Sequence, residues 1–171
     1  GHSNTMVGYQ AGLNHVGHGF ATYVGYKAGA GSAGDDDQCT MLGSQAGGAN
    51  MGAWGVGVGY YANNSTSGYG ITGIGYHANS SNTGAYSTSL GFKAGFSSSG
   101  DNSIRIGKQS GYSSTGANTV AIGADSLKIA SAADTIAIGY QALTALTTGT
   151  GNTAVGNQAG AALTAAGSNT F

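Results

Sequence analysis

ADTIAIGYQA (residues 133–142) recurs in near-copies along the whole chain. Three of the copies are ANTVAIGADS at 117–126, GDNSIRIGKQS at 100–110 and GNTAVGNQA at 151–159. The intervals between successive copies are 17 and 18 residues, then 16 residues six times, then 17. Such a period indicates a solenoid, in which each repeat buries its apolar surface against the next. Ten copies align on one glycine each: Gly8, Gly25, Gly43, Gly59, Gly75, Gly91, Gly107, Gly123, Gly139 and Gly156.

The residues before each of these glycines have the pattern of a β-strand. The residue immediately before the glycine is aliphatic in every copy, and the residue two places earlier is always Thr, Val or Ile. Period-two alternation and β-branched residues are typical of strands, whereas recurrent glycine costs a helix about 1 kcal/mol per residue. Ala or Ser always stands three residues after the glycine. We predict an all-β chain: a parallel β-roll or β-solenoid of about ten 16–18-residue coils, with two short strands per coil and with both the aliphatic column and the β-branched column in the core.

The predicted rod is thin, so we expect it to associate. Stacked about 4.8 Å apart, ten coils make a rod that is roughly 45 to 50 Å long. Each coil of this rod encloses little apolar volume. The residue between the two predicted core columns is small or apolar in most copies, although alternation points it outward. This predicts a homotrimer of rods around one axis. The candidate axis residues are Met6, Tyr23, Met41 and Arg105, and three arginines there would need an anion or carboxylates such as Asp101.

The composition argues against several classes of protein. Of the 171 residues, 34 are Gly, none is Pro or Glu and 6% are charged, yet 40% are hydrophobic, which is too many for a disordered linker. A net charge of −1 with five basic residues favours no nucleic-acid partner. No apolar run approaches the roughly 18 residues of a membrane span, so we expect no membrane insertion by this chain. A nearly Cys-free chain suits an extracellular location.

NTVAIGADS, DTIAIGYQAL and NTAVGNQAG resemble the head repeats of trimeric autotransporter adhesins, the YadA-like left-handed parallel β-roll. They are also similar to repeats of phage tail fibres and bacterial surface fibres. The resemblance covers all ten repeats and implies left-handed coils, an obligate homotrimer, a place on a bacterial cell surface or virion fibre, and a surface or tip that binds a target. We expect residues 1–2 to derive from cloning and residues 3–171 to form a single β-roll domain, part of a longer fibre.

The column that follows the repeat glycine is rich in aromatic residues. Rings stacked at this spacing form a ladder that either packs over the turn or offers a platform for a glycan. Phe20, Trp54, Tyr69 and Tyr86 add aromatics before the strands, whereas we expect the outward column with Lys27, His77 and Lys93 to be solvated. The candidate ligand-binding residues are Tyr9, Tyr26, Trp54, Tyr60, Tyr76, Tyr86 and Phe92.

Residues for catalysis or metal binding are few. GVGYYA at 57–62 matches a dinucleotide fingerprint only formally, because both glycines belong to the repeat. His15 and His18 are too few for a metal site, and three acidic residues in one turn lack the spacing of a known Ca²⁺ motif. We therefore expect no enzyme, no metal and no cofactor. The acidic residues, which we expect to be solvated, are Asp35, Asp36 and Asp37.

Together these features predict a non-enzymatic, trimeric fibre or adhesin module that attaches to a host, prey or matrix surface. Two alternatives remain open: a glycan-binding solenoid that uses the aromatic ladder, and a purely structural shaft. Ice binding needs regular exposed ranks of Thr, and Thr begins the predicted strand in only six of ten copies. The partner expected outside the trimer is a cell-surface glycan or a protein receptor.

Overall fold

The computed structural model describes residues 3–15, 19–31, 38–49 and 52–171, and these contain strands and turns but no helix. No segment of this part of the chain is therefore a helix that could cross a membrane. Ten parallel strands form one sheet in chain order, which makes a β-solenoid of about nine turns. The strands are β1 (Thr5–Val7), β2 (Thr22–Val24), β3 (Thr40–Leu42), β4 (Val56–Val58), β5 (Thr72–Ile74), β6 (Thr88–Leu90), β7 (Ile104–Ile106), β8 (Val120–Ile122), β9 (Ile136–Ile138) and β10 (Thr153–Val155).

The register of the sheet follows the sequence repeat. Each strand residue pairs with its equivalent in the next coil, as in Ile104 with Val120 and Ile106 with Ile122. Nine inter-strand steps of about 4.8 Å give a sheet about 43 Å long. The predicted all-β solenoid and the alignment of its ten repeats are thus confirmed. GVGYYA at 57–62 covers part of β4 and the following turn, so it lacks the helix that a dinucleotide site requires.

Among the residues that the structure describes, each coil has one strand, so the prediction of two strands per coil is wrong. The rest of the coil is built from turns, because residues with left-handed backbone angles recur at fixed places and interrupt any extended segment. One such residue stands two places after the repeat glycine in every coil, with φ between 53° and 58°. These residues are Gln10, Lys27, Gln45, Tyr61, His77, Lys93, Gln109, Asp125, Gln141 and Gln158.

The two faces of the strand are the reverse of the prediction. The middle residue of each strand points into its own coil, and Tyr23, Met41 and Arg105 are completely buried there. They therefore cannot face a trimer axis, and Met6, which is 38% exposed in β1, stands in the same inward column. The first and third residues of each strand point outward instead. A narrow coil admits one side chain per strand, and the small middle residues of most strands suit that space.

The interior of the solenoid changes character along its length. Coils 2 and 3 contain an apolar cluster that includes Tyr23 and Met41, and coils 8 to 10 contain a second one that includes Leu127 and Leu143. Between them the interior is polar and joined by hydrogen bonds. Its buried polar residues include Asn63, Asn79, Asn82, Ser87, Ser89, Ser98, Ser103, Arg105, Ser110 and Ser114.

Candidate functional site

The outward side chains of the ten strands form a continuous surface, which we call the outer sheet face. It consists of the first and third residue of each strand and carries no charged side chain. Val7, Leu42 and Val155 are 57%, 48% and 59% exposed in the isolated chain. Monomeric soluble proteins rarely expose contiguous apolar surfaces of this kind, and such surfaces mark interfaces. The twenty positions comprise six Thr and fourteen Val, Ile or Leu residues.

Beyond the third strand residue, aromatic rings of neighbouring coils stack on one another. Tyr9 and Tyr26 stack with centroids 5.6 Å apart and planes 11° apart. Tyr76 stacks with Tyr60 on one side at 5.4 Å and with Phe92 on the other at 5.1 Å. The predicted ladder is thus present in two pieces, since Ser44 replaces the ring between Tyr26 and Tyr60 in this column.

The second piece of the ladder belongs to a larger group that we call the aromatic wall. Tyr61 stacks on His77 at 4.9 Å, and Phe96 stacks on Tyr112 at 5.1 Å. His77 also meets Phe96 at 5.9 Å, which joins the two pairs. The wall covers the coils whose interior is polar, so the rings add apolar contact where the interior supplies little. Its members are Tyr60, Tyr61, Tyr76, His77, Phe92, Phe96 and Tyr112.

Stacking limits what the aromatic wall can bind. The planes of Tyr76 and Phe92 are 5° apart, so these rings pack face to face and present their edges to solvent. A sugar stacks on ring faces, and both faces of Tyr76 are already covered by neighbouring rings. The ammonium of Lys93 lies 5.6 Å from the ring centroids of both Phe92 and Phe96, which holds it by cation–π attraction. The geometry of the wall therefore favours cross-coil packing.

Sequence reasoning missed four members of the aromatic wall: Tyr61, His77, Phe96 and Tyr112. His77 is half-buried between rings, so the expectation that it is simply solvated is wrong. Partial burial, and secondarily the charge of Lys93, lowers the pKa of His77 below 6.5. Partial desolvation, followed by the neighbouring Tyr61 and Tyr76, raises the pKa of the Tyr60 hydroxyl above 10.0. A column-by-column comparison of adjacent repeats would have found the Tyr61–His77 and Phe96–Tyr112 pairs.

His77 should make the stability of the solenoid depend on pH. Because folding lowers its pKa, the unfolded chain binds the proton first as the pH falls below 6.5, so stability is lost there and is complete above it. His77→Gln introduces glutamine, which already occupies the equivalent position in other coils as Gln45 and Gln109. We expect the melting temperature of this variant to fall less between pH 7.5 and pH 5 than that of the parent protein. Equal losses in both proteins would contradict this role for His77.

A second row of exposed aromatics lies before the strands. Phe20, Trp54 and Tyr86 occupy equivalent positions in coils 2, 4 and 6, with φ of 68°, 63° and 52°. Left-handed angles are unusual for bulky residues, and the same column has Asn102 and Asn118 in later coils, which tolerate them better. These three aromatics are 66%, 53% and 59% exposed. We call them the corner row; they lie at the opposite end of the strand from the aromatic wall.

The corner row is spaced by every second coil. Gln38 and Gly70 occupy the intervening positions. A Cβ added to Gly70 would lie 2.9 Å from a ring atom of Tyr86, so the absence of a side chain at Gly70 leaves room for that ring. Trp54 also meets Tyr69, with centroids 6.1 Å apart and planes 50° apart. The candidate residues Trp54 and Tyr86 therefore belong to a different surface from Tyr60, Tyr76 and Phe92.

The remaining polar candidates offer little chemistry. His15 is half-buried, lies edge-on to Tyr23 at 5.6 Å and approaches Asn4 at 3.3 Å. Cys39 is buried inside the coil, where its sulfur accepts from the amide of Gly55 at 3.4 Å. The described residues contain no group of three His, Cys, Asp or Glu side chains that could hold a metal ion. The predictions for His18, Asp35, Asp36 and Asp37 fall outside the described residues.

Searches with protein-family models, against curated protein sequences and against solved structures found no match to this chain.

Proposed function

We propose that this chain is a non-enzymatic module of a homotrimeric extracellular fibre that contributes to attachment. The observation that carries the proposal is the outer sheet face, in which an aliphatic residue ends all ten strands. A flat apolar surface of this length is unfavourable in water and is covered when three copies turn their sheets toward a common axis. The repeat sequences that resemble adhesin heads and phage fibres support the same assembly, with left-handed coils.

The composition of the outer sheet face favours protein contact over ice binding. Thr begins six of the strands and points outward, contrary to the expectation that this column is buried. Val or Ile takes its place in β4 and in β7 to β9, so the Thr ranks are interrupted. An uneven apolar surface packs well against another protein, whereas an ice-binding surface needs a regular array. The remaining surface of the rod stays available for a target.

The shape of the particle in solution tests the fibre module. Small-angle X-ray scattering should show a particle that is about 43 Å along the sheet axis and has the cross-section of three coils. Three rods side by side give a radius of gyration of the cross-section clearly larger than that of one coil. A profile that fits a single coil would contradict the proposed assembly.

A second candidate function is binding of an extended polysaccharide by the corner row. Two coil steps separate neighbouring rings of the row by about 10 Å. Two sugar units of an extended β-1,4-linked chain cover a similar length, so successive rings would meet equivalent sugars. The retention of exposed aromatics at left-handed positions, where Asn serves in later coils, favours a surface role. The stacked aromatic wall lacks this open spacing.

Binding to insoluble cellulose, a β-1,4-linked glucan, tests the corner row. We expect the parent protein to be depleted from solution and Trp54→Ala/Tyr86→Ala to lose at least tenfold in affinity, since each stacking ring contributes roughly 1 kcal/mol. Tyr140→Ala is the control, because Tyr140 is also exposed but lies outside the row. An unretained parent, or a double variant retained like the parent, would show that the row does not bind this glycan.

A further inference from the structure

Arg105 places a full positive charge inside the solenoid. It is the middle residue of β7, is fully buried, and stands between Ser89 and Ala121 in the inward column. Its side chain runs past two glycines. A Cβ at Gly95 or Gly111 would lie 3.2 Å and 2.6 Å from the Cδ of Arg105. The local sequence therefore leaves space for a long cationic side chain in a coil that otherwise encloses small residues.

The guanidinium of Arg105 is only partly satisfied. Its Nη2 donates to the carbonyl oxygen of Gly100 at 3.1 Å, but buried Nε and Nη1 have no hydrogen-bond partner. Nε and Nη1 carry three of the five N–H groups of the guanidinium, and none of these three donates a hydrogen bond. Asp101, the carboxylate closest in sequence, is exposed and accepts from the amide of Ala85 at 2.8 Å. Across the described ranges no carboxylate pairs with Arg105.

Arg105 remains charged in this environment. Burial lowers the pKa of Arg105 to about 10, which is still well above neutral pH. An uncompensated buried charge and an unused buried donor both destabilise the folded chain, so a bound anion that offsets them is favourable. Many other polar side chains of the interior are paired; for example, Ser89 donates to Asn79 at 2.7 Å and Thr119 donates to Ser103 at 3.0 Å.

A further unused donor lies close to this part of the chain. The hydroxyl of Ser114 is buried without a partner. The carbonyl oxygen of Ser114 accepts from the amide of Ser99, the residue before Gly100, at 3.1 Å. Ser114 is thus in the coil next to the segment that binds the guanidinium. The Arg105 guanidinium itself presents unused donors and an unpaired positive charge, which is the chemistry of an anion site.

We propose that Arg105 holds a small monovalent anion of the halide class, such as chloride, inside coils 6 and 7. One negative charge balances the guanidinium, and the Ser and Gly residues around it suit a small ion rather than sulfate or phosphate. The ion occupies the donors at Nε or Nη1. This site is internal to one chain and does not depend on the proposed fibre function.

The first test uses bromide as the probe in crystals of the parent protein. The protein is unfolded, refolded in sodium bromide and crystallised, so that an occluded site fills during folding. We expect an anomalous bromide peak within hydrogen-bond distance of the Arg105 guanidinium in every chain. Ordered water at this place, or no density beside Nε and Nη1, would overturn the proposal.

The second test measures stability in solution. The parent is refolded in sodium gluconate, whose anion is too large for the coil, and chloride replaces gluconate at constant ionic strength. We expect the unfolding midpoint to rise with chloride, as for any ligand of the folded state. Arg105→Ser introduces serine, which occupies the equivalent position in β6 as Ser89, and this variant should lose the rise. Lys108 is an exposed cation in the same coil, so Lys108→Ala should keep the rise.

The outcomes of the two tests are distinct. A parent that is insensitive to chloride, or an Arg105→Ser variant with the same rise as the parent, would overturn the proposal. If Arg105→Ser does not fold, the bromide peak and the chloride dependence of the parent decide it without the variant. Neither result changes with the number of chains in the particle.

Discussion

Ile74→Asp/Leu90→Asp should reduce the mass of the particle from about 50 kDa, three times the chain mass, to the 16.6 kDa of one chain. Both residues end strands on the outer sheet face, where they are 39% and 44% exposed in the isolated chain. A single chain therefore tolerates the two carboxylates with little loss of stability. A trimer would have to bury six of them near one axis, at a cost of several kcal/mol per charge. Light scattering coupled to size exclusion measures the mass.

The control for this double variant is Thr83→Asp/Ser99→Asp. These residues also lie in neighbouring coils and are exposed, but they lie outside the sheet. Their variant adds the same charge and should keep the mass of the parent. If Ile74→Asp/Leu90→Asp also keeps it, the outer sheet face is not the surface through which the chains associate.

Gly75→Ala should destabilise the solenoid by about 3 kcal/mol or more, whereas Gly156→Ala should cost about 1–3 kcal/mol. Both glycines directly follow a strand and have positive φ, 132° and 140°, so the backbone strain of an added Cβ is similar. At Gly75 the Cβ would also lie 2.5 Å from the carbonyl oxygen of Gly91 in the next coil. At Gly156 its nearest neighbour would be the Cβ of Ala159, 3.8 Å away.

Urea unfolding of the two alanine variants measures this difference. Because the repeat glycine brings two coils into backbone contact, a clash at Gly75 must separate the coils or break their hydrogen bonds. The amide of Gly91, for example, donates to the carbonyl of Ile74 at 2.9 Å. Equal midpoints for the two variants would show that φ strain alone accounts for the glycine column.

The sequence was sufficient to predict the solenoid and its register. The V/I/L-G step places one strand per repeat, and the structure pairs Ile104 with Val120 as the alignment does. The number of strands per coil was not predictable in the same way. Left-handed angles at Lys27, His77 and Gln109 are adopted by residue types that do not by themselves indicate a turn.

The orientation of the strand was predicted wrongly for a physical reason. Alternation identifies two faces of a strand but does not say which one is inside. The large aliphatic residues suggested the core, yet the coil is so narrow that Gly57, Gly73 and Ala121 fill it. The size of the middle residue was the informative signal. Arg105 is a large residue in this column of mostly small ones. It fits because Gly95 and Gly111, which lie beside its side chain, make room for it.

The candidate binding surface was predictable in part. Tyr60, Tyr76 and Phe92 form the expected ladder, but the sequence could not show that their ring faces are used by stacking. The sequence identified Trp54 and Tyr86 as candidate binding residues. It did not show that their backbone angles are left-handed, which is the feature that separates them from the aromatic wall. Those angles depend on how coils close, which is a property of the folded chain.

The mass of the parent protein in solution tests most directly whether the outer sheet face is buried between chains. It is measured by light scattering coupled to size exclusion at micromolar concentration. We predict a particle of about 50 kDa, three chains of 16.6 kDa each. A particle of 16.6 kDa would mean that fourteen aliphatic side chains remain open to water on one face, and it would contradict the trimeric fibre module.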